Sequence, residues 1–267
     1  MTDLLPVVAV TFDAEPEVRG AVADALKGAA SLAFLSDVGA ERRAATLRSA
    51  AALLSWNPQR ELGAEGLAEL AGVRFMQLMS AGANHLPYSD IPHSVVIASN
   101  VGAYAEPMAE HVLAMALSLA KRLPQKHAEL ARGEFRQRPP TRRIEGLVCG
   151  ILGFGAIGKA VARRFRPLGV RIQAVNTSGT TQDEVEFVGT LGDLDAVLGA
   201  SDIVVIALPL NKATDGLLGR EELGLMKPDA ILINVARAGI LQEAALYEHR
   251  ARRGAGSGEY RAVPSWR

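Results

Sequence analysis

Short apolar runs alternate with mixed polar stretches along the first hundred residues. Each run has the length of a strand rather than a helix. Residues 7–12, 31–35, 51–55, 75–79 and 95–98 read as strands. Residues 15–28, 39–50 and 65–70 lie between them with helical composition, and Pro16 stands where a first helical turn accepts proline. Trp56, Asn57 and Pro58 form a turn signal. This alternation predicts a parallel sheet with crossover helices.

The pattern then changes. Residues 104–122 form one long helical segment with apolar positions on more than one side, as expected between two layers or at a subunit interface. Glu110 and His111 inside it need partners. Residues 123–143 are polar and rich in arginine, with Pro139 and Pro140, and read as an irregular, solvated connector. Strand-like runs return at 147–152, 170–175, 202–208 and 230–235. Residues 191–198 read as a short helix, with Asp193 and Asp195 as solvated or capping residues.

The run at 147–152 leads directly into Gly153-x-Gly155-x-x-Gly158 and a helix-like segment at 159–165. Gly153 permits the tight strand-to-helix turn. Gly155, without a Cβ, lets the backbone approach a pyrophosphate, and Gly158 lets helix and strand pack closely. The N–H groups at the helix start, with Ala156 and Ile157, face the phosphates at the positive dipole end. The preceding strand, the helix and the second strand supply the context that turns three glycines into a dinucleotide fingerprint.

Composition narrows the reading. A chain of 267 residues with 49% hydrophobic residues is long enough for two medium domains. Lys+Arg and Asp+Glu both number 29, so no charge excess points to nucleic acid or an anionic membrane. The one cysteine, Cys149, lies inside an apolar run and reads as a small buried residue. The first residues carry no basic signal-like region, and no apolar run reaches membrane-spanning length. A cytoplasmic location fits, and no metal site is expected.

Three further stretches carry candidate chemistry. Ser80, Ala81, Gly82 and Ala83 form a small-residue loop after a strand. It is either a tight turn or a site where N–H groups meet a carboxylate. His85 beside it reads as a loop or packing histidine. Asn176, Thr177 and Ser178 stand where a dinucleotide fold ordinarily places an acid for the ribose hydroxyls. Without that acid the repulsion of a 2′-phosphate is gone, which leans towards NADP or dual use over NAD alone. Arg237 follows the last buried strand. It is either a surface arginine or a guanidinium that binds a carboxylate bidentately and polarises a carbonyl.

Taken together, residues 80–84, 100–104 with 109–111, the glycine loop, Leu208-Pro209-Leu210 with Thr214, and 234–237 with 243–246 resemble the D-isomer-specific 2-hydroxyacid dehydrogenase family in order and spacing. The resemblance covers about residues 50–248. It implies a Rossmann-type parallel-sheet cofactor domain at 99–248 and a smaller flavodoxin-like α/β substrate domain at 1–98, incomplete without its usual C-terminal return. Residues 249–267 then form an irregular tail. It further implies that the backbone of Ala81, Gly82 and Ala83 holds the substrate carboxylate and that Arg237 is catalytic. Leu208, Pro209, Thr214, Val235, Ala236 and Arg237 itself would line the cofactor site at the nicotinamide. The cofactor is NAD or NADP, the substrate a small 2-oxo or D-2-hydroxy acid, and the helix from Tyr104 the contact of a homodimer.

Four features depart from that pattern. Where the family carries its catalytic Glu this sequence has Trp266, and the slot for the catalytic His lies beyond Arg267. The expectation is a truncated or frame-shifted end with reduced or no turnover. The competing expectation is an inactive dinucleotide-binding interaction protein. Asn84, where Asp is common, and Ala238, where Gly is common, are milder departures.

Overall fold

The computed structural model describes residues 5–83, 85–254 and 261–263. The chain forms two compact units, 1–103 and 104–267.

In the first unit the strands are β1 (Val7–Val10), β2 (Ser31–Phe34), β3 (Ala50–Ser55), β4 (Phe75–Leu78) and β5 (Val96–Ala98). The helices α1 (Pro16–Ala25), α2 (Ala40–Ser49) and α3 (Pro58–Ala68) connect them. The sheet order is β2-β1-β3-β4-β5, with every pair parallel. This is the flavodoxin-like order, in which the loops after β1 and β3 diverge at a crevice. Ala9, Leu53, Met76 and Leu78 are fully buried and, with Leu67 and Leu70, form its core. The third helix begins earlier than the composition suggests. Asn57 caps it, its Oδ1 accepting from Arg60 N at 3.2 Å, and Pro58 occupies the first turn. The turn signal at 56–58 is thus the entrance to a helical segment that reaches Ala68 across a kink at Gly63, where φ is +65°.

The second unit contains α4 (Ala105–Ala120), α5 (Leu123–Ala131), β6 (Val148–Leu152), α6 (Ala156–Phe165), β7 (Arg171–Val175) and β8 (Phe187–Gly189). It continues with α7 (Leu194–Ala200), β9 (Ile203–Ile206), α8 (Arg220–Leu225), β10 (Ile231–Asn234), α9 (Glu243–Gly254) and β11 (Arg261–Val263). The sheet order is β11-β10-β9-β6-β7-β8, again parallel throughout. Counted from β6, this is the 3-2-1-4-5-6 order of a dinucleotide-binding sheet. Strands β6, β9 and β10 are buried along their whole length, as a parallel sheet covered on both faces requires.

Helix α4 buries one stripe, Ala105, Ala109, Val112, Ala116 and Ala120, and packs along α6. The small alanines let the two backbones approach. Glu110 and His111 are exposed, so neither needs a buried partner. Glu110 meets Arg164 of α6 at 3.1 Å.

Two sequence expectations are corrected. The stretch 123–143 is not irregular throughout, because α5 fills its first nine residues. Pro124 fits the first turn of that helix, and the left-handed backbone of Arg122 separates it from α4. The segment 249–267 is not wholly an irregular tail either. Helix α9 extends to Gly254, and Arg261–Val263 pairs with the edge that β10 leaves open. Trp266 and Asn84 lie outside the described residues. Among the described residues no helix is long and apolar enough to cross a membrane.

Candidate functional site

In the second unit the predicted cofactor residues gather at one edge of one sheet. Gly153 follows β6, Asn176 follows β7, Leu208 and Pro209 follow β9, and Val235 follows β10. All four strands run parallel, so their C-terminal ends lie on the same side. The connections from β6 and β9 leave in opposite directions, which opens the crevice where such sheets take ligands.

The three glycines differ in their surroundings. Gly153 has φ +102°, and a Cβ there would lie 2.6 Å from the carbonyl carbon of Ala207. A Cβ on Gly158 would lie 2.3 Å from the Gly153 carbonyl oxygen. Both glycines are therefore demanded by the fold. At Gly155 a Cβ would meet nothing within 4 Å. That space lies at the N-terminus of α6, which no side chain caps. Open room beside uncapped helical N–H groups suits a pyrophosphate, so the residues present fit a dinucleotide.

Beyond β7, the Asn176 side chain is committed to its own turn. Its Oδ1 accepts from Ser178 N at 3.0 Å and Gly179 N at 2.7 Å, and its Nδ2 donates to Thr180 O at 2.8 Å. The Lys159–Asp183 ion pair, 2.9 Å, ties this loop back to α6. The hydrogen bond from Lys159, then that from Thr181, holds the Asp183 carboxyl below its usual range.

After β9, Thr214 is buried. Its Oγ1 donates to Pro209 O at 2.6 Å and accepts from Asn211 N at 2.9 Å, which shapes the loop that starts at Leu208. After β10, the buried Asn234 clamps the turn that carries Val235, Ala236 and Arg237. Its Oδ1 accepts from Ala236 N at 2.9 Å, and its Nδ2 donates to Arg237 O at 3.1 Å. The Arg237 guanidinium is exposed and donates only to the neighbouring Ala236 carbonyl, at 3.1 Å. Among the described residues it has no carboxylate partner. Cys149 is fully buried, and burial pushes its thiol well above the ordinary range, so it is inert.

In the first unit, Ala81, Gly82 and Ala83 follow β4 at the C-terminal edge of that sheet. Ser80 Oγ donates to Gly82 O at 2.9 Å, and Tyr88 OH donates to Ala83 O at 3.1 Å. Asn100 holds the start of the loop. Its N–H donates to Ser80 O at 3.0 Å and its Nδ2 to Met79 O at 3.4 Å. Among the described residues, the N–H groups of Ala81, Gly82 and Ala83 have no protein acceptor.

Sequence reasoning assigned no role to Asn234 or Glu61. A short amide just past an apolar run is a turn signal, which would have pointed to Asn234. Glu61 carried no such signal. Its carboxylate accepts from Thr11 Oγ1 at 2.5 Å, Ser55 Oγ at 2.6 Å, Trp56 N at 3.1 Å and Asn57 N at 2.8 Å. A cleft of about 450 Å³ beside it is lined by Thr11, Asp13, Ser36, Arg43 and Glu65, among others, and by no residue of the loop at 80–83.

A sheet of 3-2-1-4-5-6 order with a glycine loop opening into free space is the architecture of a dinucleotide-binding domain. The sequence profile of the D-isomer specific 2-hydroxyacid dehydrogenase NAD binding domain matches residues 113–256, more than half of the chain, and the chain belongs to that family. It is 32% identical over 156 residues to D-3-phosphoglycerate dehydrogenase from Archaeoglobus fulgidus, which covers 58% of this chain and 29% of the relative. It is 29% identical over 193 residues to glycerate dehydrogenase from Methylorubrum extorquens, which covers 69% of this chain and 59% of the relative. The chain thus spans less than two thirds of either relative. The crystal structure of a glycerate dehydrogenase related protein from Thermoplasma acidophilum superposes with a TM-score of 0.66 at 29% identity, covering 93% of this chain and 80% of that one.

Proposed function

We propose that this chain binds NAD or NADP and acts as an oxidoreductase on a small 2-oxo or D-2-hydroxy acid. The observation that carries the proposal is the empty space over Gly155 at the uncapped start of α6. Gly153, Gly155, Ala156, Ile157 and Gly158 receive the pyrophosphate, and Asn176, Thr177 and Ser178 the adenosine ribose. Leu208, Pro209, Thr214, Val235 and Ala236 line the nicotinamide pocket. A bound nicotinamide supplies the hydride that the reaction exchanges with the substrate C2.

The chain's own part is orientation and charge. The N–H groups of Ala81, Gly82 and Ala83 hold the substrate carboxylate. Arg237 binds carboxylate and carbonyl oxygen and stabilises the charge that develops on that oxygen. The exposed Arg237 guanidinium, without a carboxylate partner among the described residues, and three N–H groups without protein acceptors among them support these roles. Asn176 in place of an acid leans the preference towards NADP. The half-buried Leu113, Met115, Leu117 and Leu119 of α4 support a homodimer through that helix, and the lone buried cysteine agrees with a cytoplasmic location.

A second reading is a dinucleotide-binding protein without turnover. Its support is the loop itself: the open space over Gly155 at the uncapped start of α6 serves dinucleotide binding with or without hydride transfer. Two measurements decide. NADH and NADPH binding is followed by calorimetry, and glyoxylate and hydroxypyruvate reduction by loss of reduced-cofactor absorbance. Binding with turnover supports the first reading, binding without turnover the second. Loss of both defeats both.

A further inference from the structure

Glu61 sits in the first turn of α3, yet its carboxylate is fixed by groups from three other places. Thr11 follows β1, the fully buried Ser55 ends β3, and the N–H groups of Trp56 and Asn57 belong to the turn between β3 and α3. The two hydroxyls set the carboxylate against the sheet. The two N–H groups then set the peptide planes of the turn against the carboxylate.

That turn reaches the loop after β4. The Trp56 carbonyl lies 3.1 Å from His85 Nε2. A carbonyl oxygen only accepts, so Nε2 carries the proton and donates. The start of the same loop is held by Asn100, through the carbonyls of Ser80 and Met79. The segment carrying Ala81, Gly82 and Ala83 is therefore pinned on one side by Asn100. On the other side it is pinned by His85 on a turn that Glu61 holds.

We propose that Glu61 is a positioning residue for substrate binding, acting through Trp56 and His85 on the backbone of residues 81–83. The proposal rests on the reading that these three residues hold the substrate carboxylate. Three N–H groups bind one carboxylate well only when they converge, and errors near 1 Å cost about a hundredfold in such sites. Ala at position 61 removes both acceptor oxygens. The N–H groups of Trp56 and Asn57 lose their acceptor, and the Trp56 carbonyl is released with them.

The test uses the full chain carrying Trp266→Phe, which leaves Trp56 as the one tryptophan. Glyoxylate affinity is measured by calorimetry at saturating NAD⁺, which cannot reduce it, for this parent, Glu61→Ala, His85→Ala and the double variant. NADH affinity is measured separately. Glu61→Ala is expected to shift Trp56 emission and weaken glyoxylate binding about tenfold, with NADH affinity unchanged. In the His85→Ala background the same substitution is expected to add little, a coupling that a merely stabilising residue would not produce.

Unchanged glyoxylate affinity in Glu61→Ala, or effects that simply multiply in the double variant, overturns the positioning role while leaving the carboxylate loop standing. A parent that binds NADH but no glyoxylate overturns the loop reading and this role with it. Should Glu61→Ala fail to fold, His85→Ala alone decides. It is expected to weaken glyoxylate to the same extent, and unchanged affinity there overturns the proposal.

Discussion

Asn234 holds Arg237 by its backbone. The buried amide donates to the Arg237 carbonyl at 3.1 Å and accepts from Ala236 N at 2.9 Å. The exposed guanidinium therefore projects from a turn that the core fixes. Asn234→Ala removes both bonds and leaves the half-buried Ala236 N–H without its acceptor, while the Arg237 carbonyl keeps only Ile240 N at 3.3 Å, at a cost of about 1 kcal/mol. Urea unfolding should show that loss. Asn234→Asp keeps the acceptor and should retain more stability than Ala. Equal stability of all three proteins would mean that the clamp contributes nothing.

The glycine loop separates folding from binding at adjacent positions. A Cβ at Gly155 enters open space, so Gly155→Val should leave thermal unfolding within a few degrees of the parent while abolishing NADH binding. At Gly153, φ +102° and a Cβ 2.6 Å from the Ala207 carbonyl carbon make even Ala strained. Gly153→Ala should destabilise by about 1–3 kcal/mol. Retained NADH binding in Gly155→Val would remove the pyrophosphate from this loop.

The features most legible in the sequence were those written in local patterns. Apolar runs of strand length, bounded by turn residues, located the strands with the largest cores, and glycine spacing located the loop after β6. Arg237 stood out because it directly followed such a run. Helix α5 was hidden because Leu123 and Leu130 are exposed among charged residues, so no apolar face signalled a helix. Strands β8 and β11 have three residues each, too few for periodicity to show. Glu61 was invisible for a different reason. Its partner Thr11 lies 50 residues away, and no local pattern encodes a bond of that range.

At the opposite edge of the second sheet, Asp202 joins the starts of three segments. It accepts from Val148 N at 2.8 Å, Arg142 Nη2 at 2.7 Å and Lys227 Nζ at 2.9 Å. Burial alone would raise its pKa. The Val148 N–H bond, the Lys227 bond and charge, and the Arg142 charge together bring it below the ordinary value. A folded pKa below the unfolded one contributes stability that is present above the unfolded value, about 3.9. That stability is lost as pH falls through the folded pKa. Asp202→Asn should cost about 2 kcal/mol at pH 7, and the gap from the parent should narrow below about pH 4. Chemical unfolding of both proteins at pH 7 and pH 3 measures this, and a gap that stays constant would show that Asp202 charge is not the cause.

Arg237 gives the sharpest test of the proposed chemistry, because among the described residues its guanidinium has no partner beyond its neighbour's carbonyl. Substitution should therefore leave folding intact, and any change in turnover reports on the reaction. Arg237→Ala should abolish glyoxylate reduction with unfolding temperature unchanged. Arg237→Lys keeps the charge but not the planar fork, so it cannot hold a carboxylate bidentately. A loss of about a hundredfold in kcat/KM is expected for Lys, corresponding to about 2.7 kcal/mol of transition-state stabilisation. NADH affinity should change little in either variant, since the guanidinium is assigned to the acid rather than to the phosphates. Turnover that survives Arg237→Ala would take this residue out of the site, while lost NADH binding would move it from substrate to cofactor.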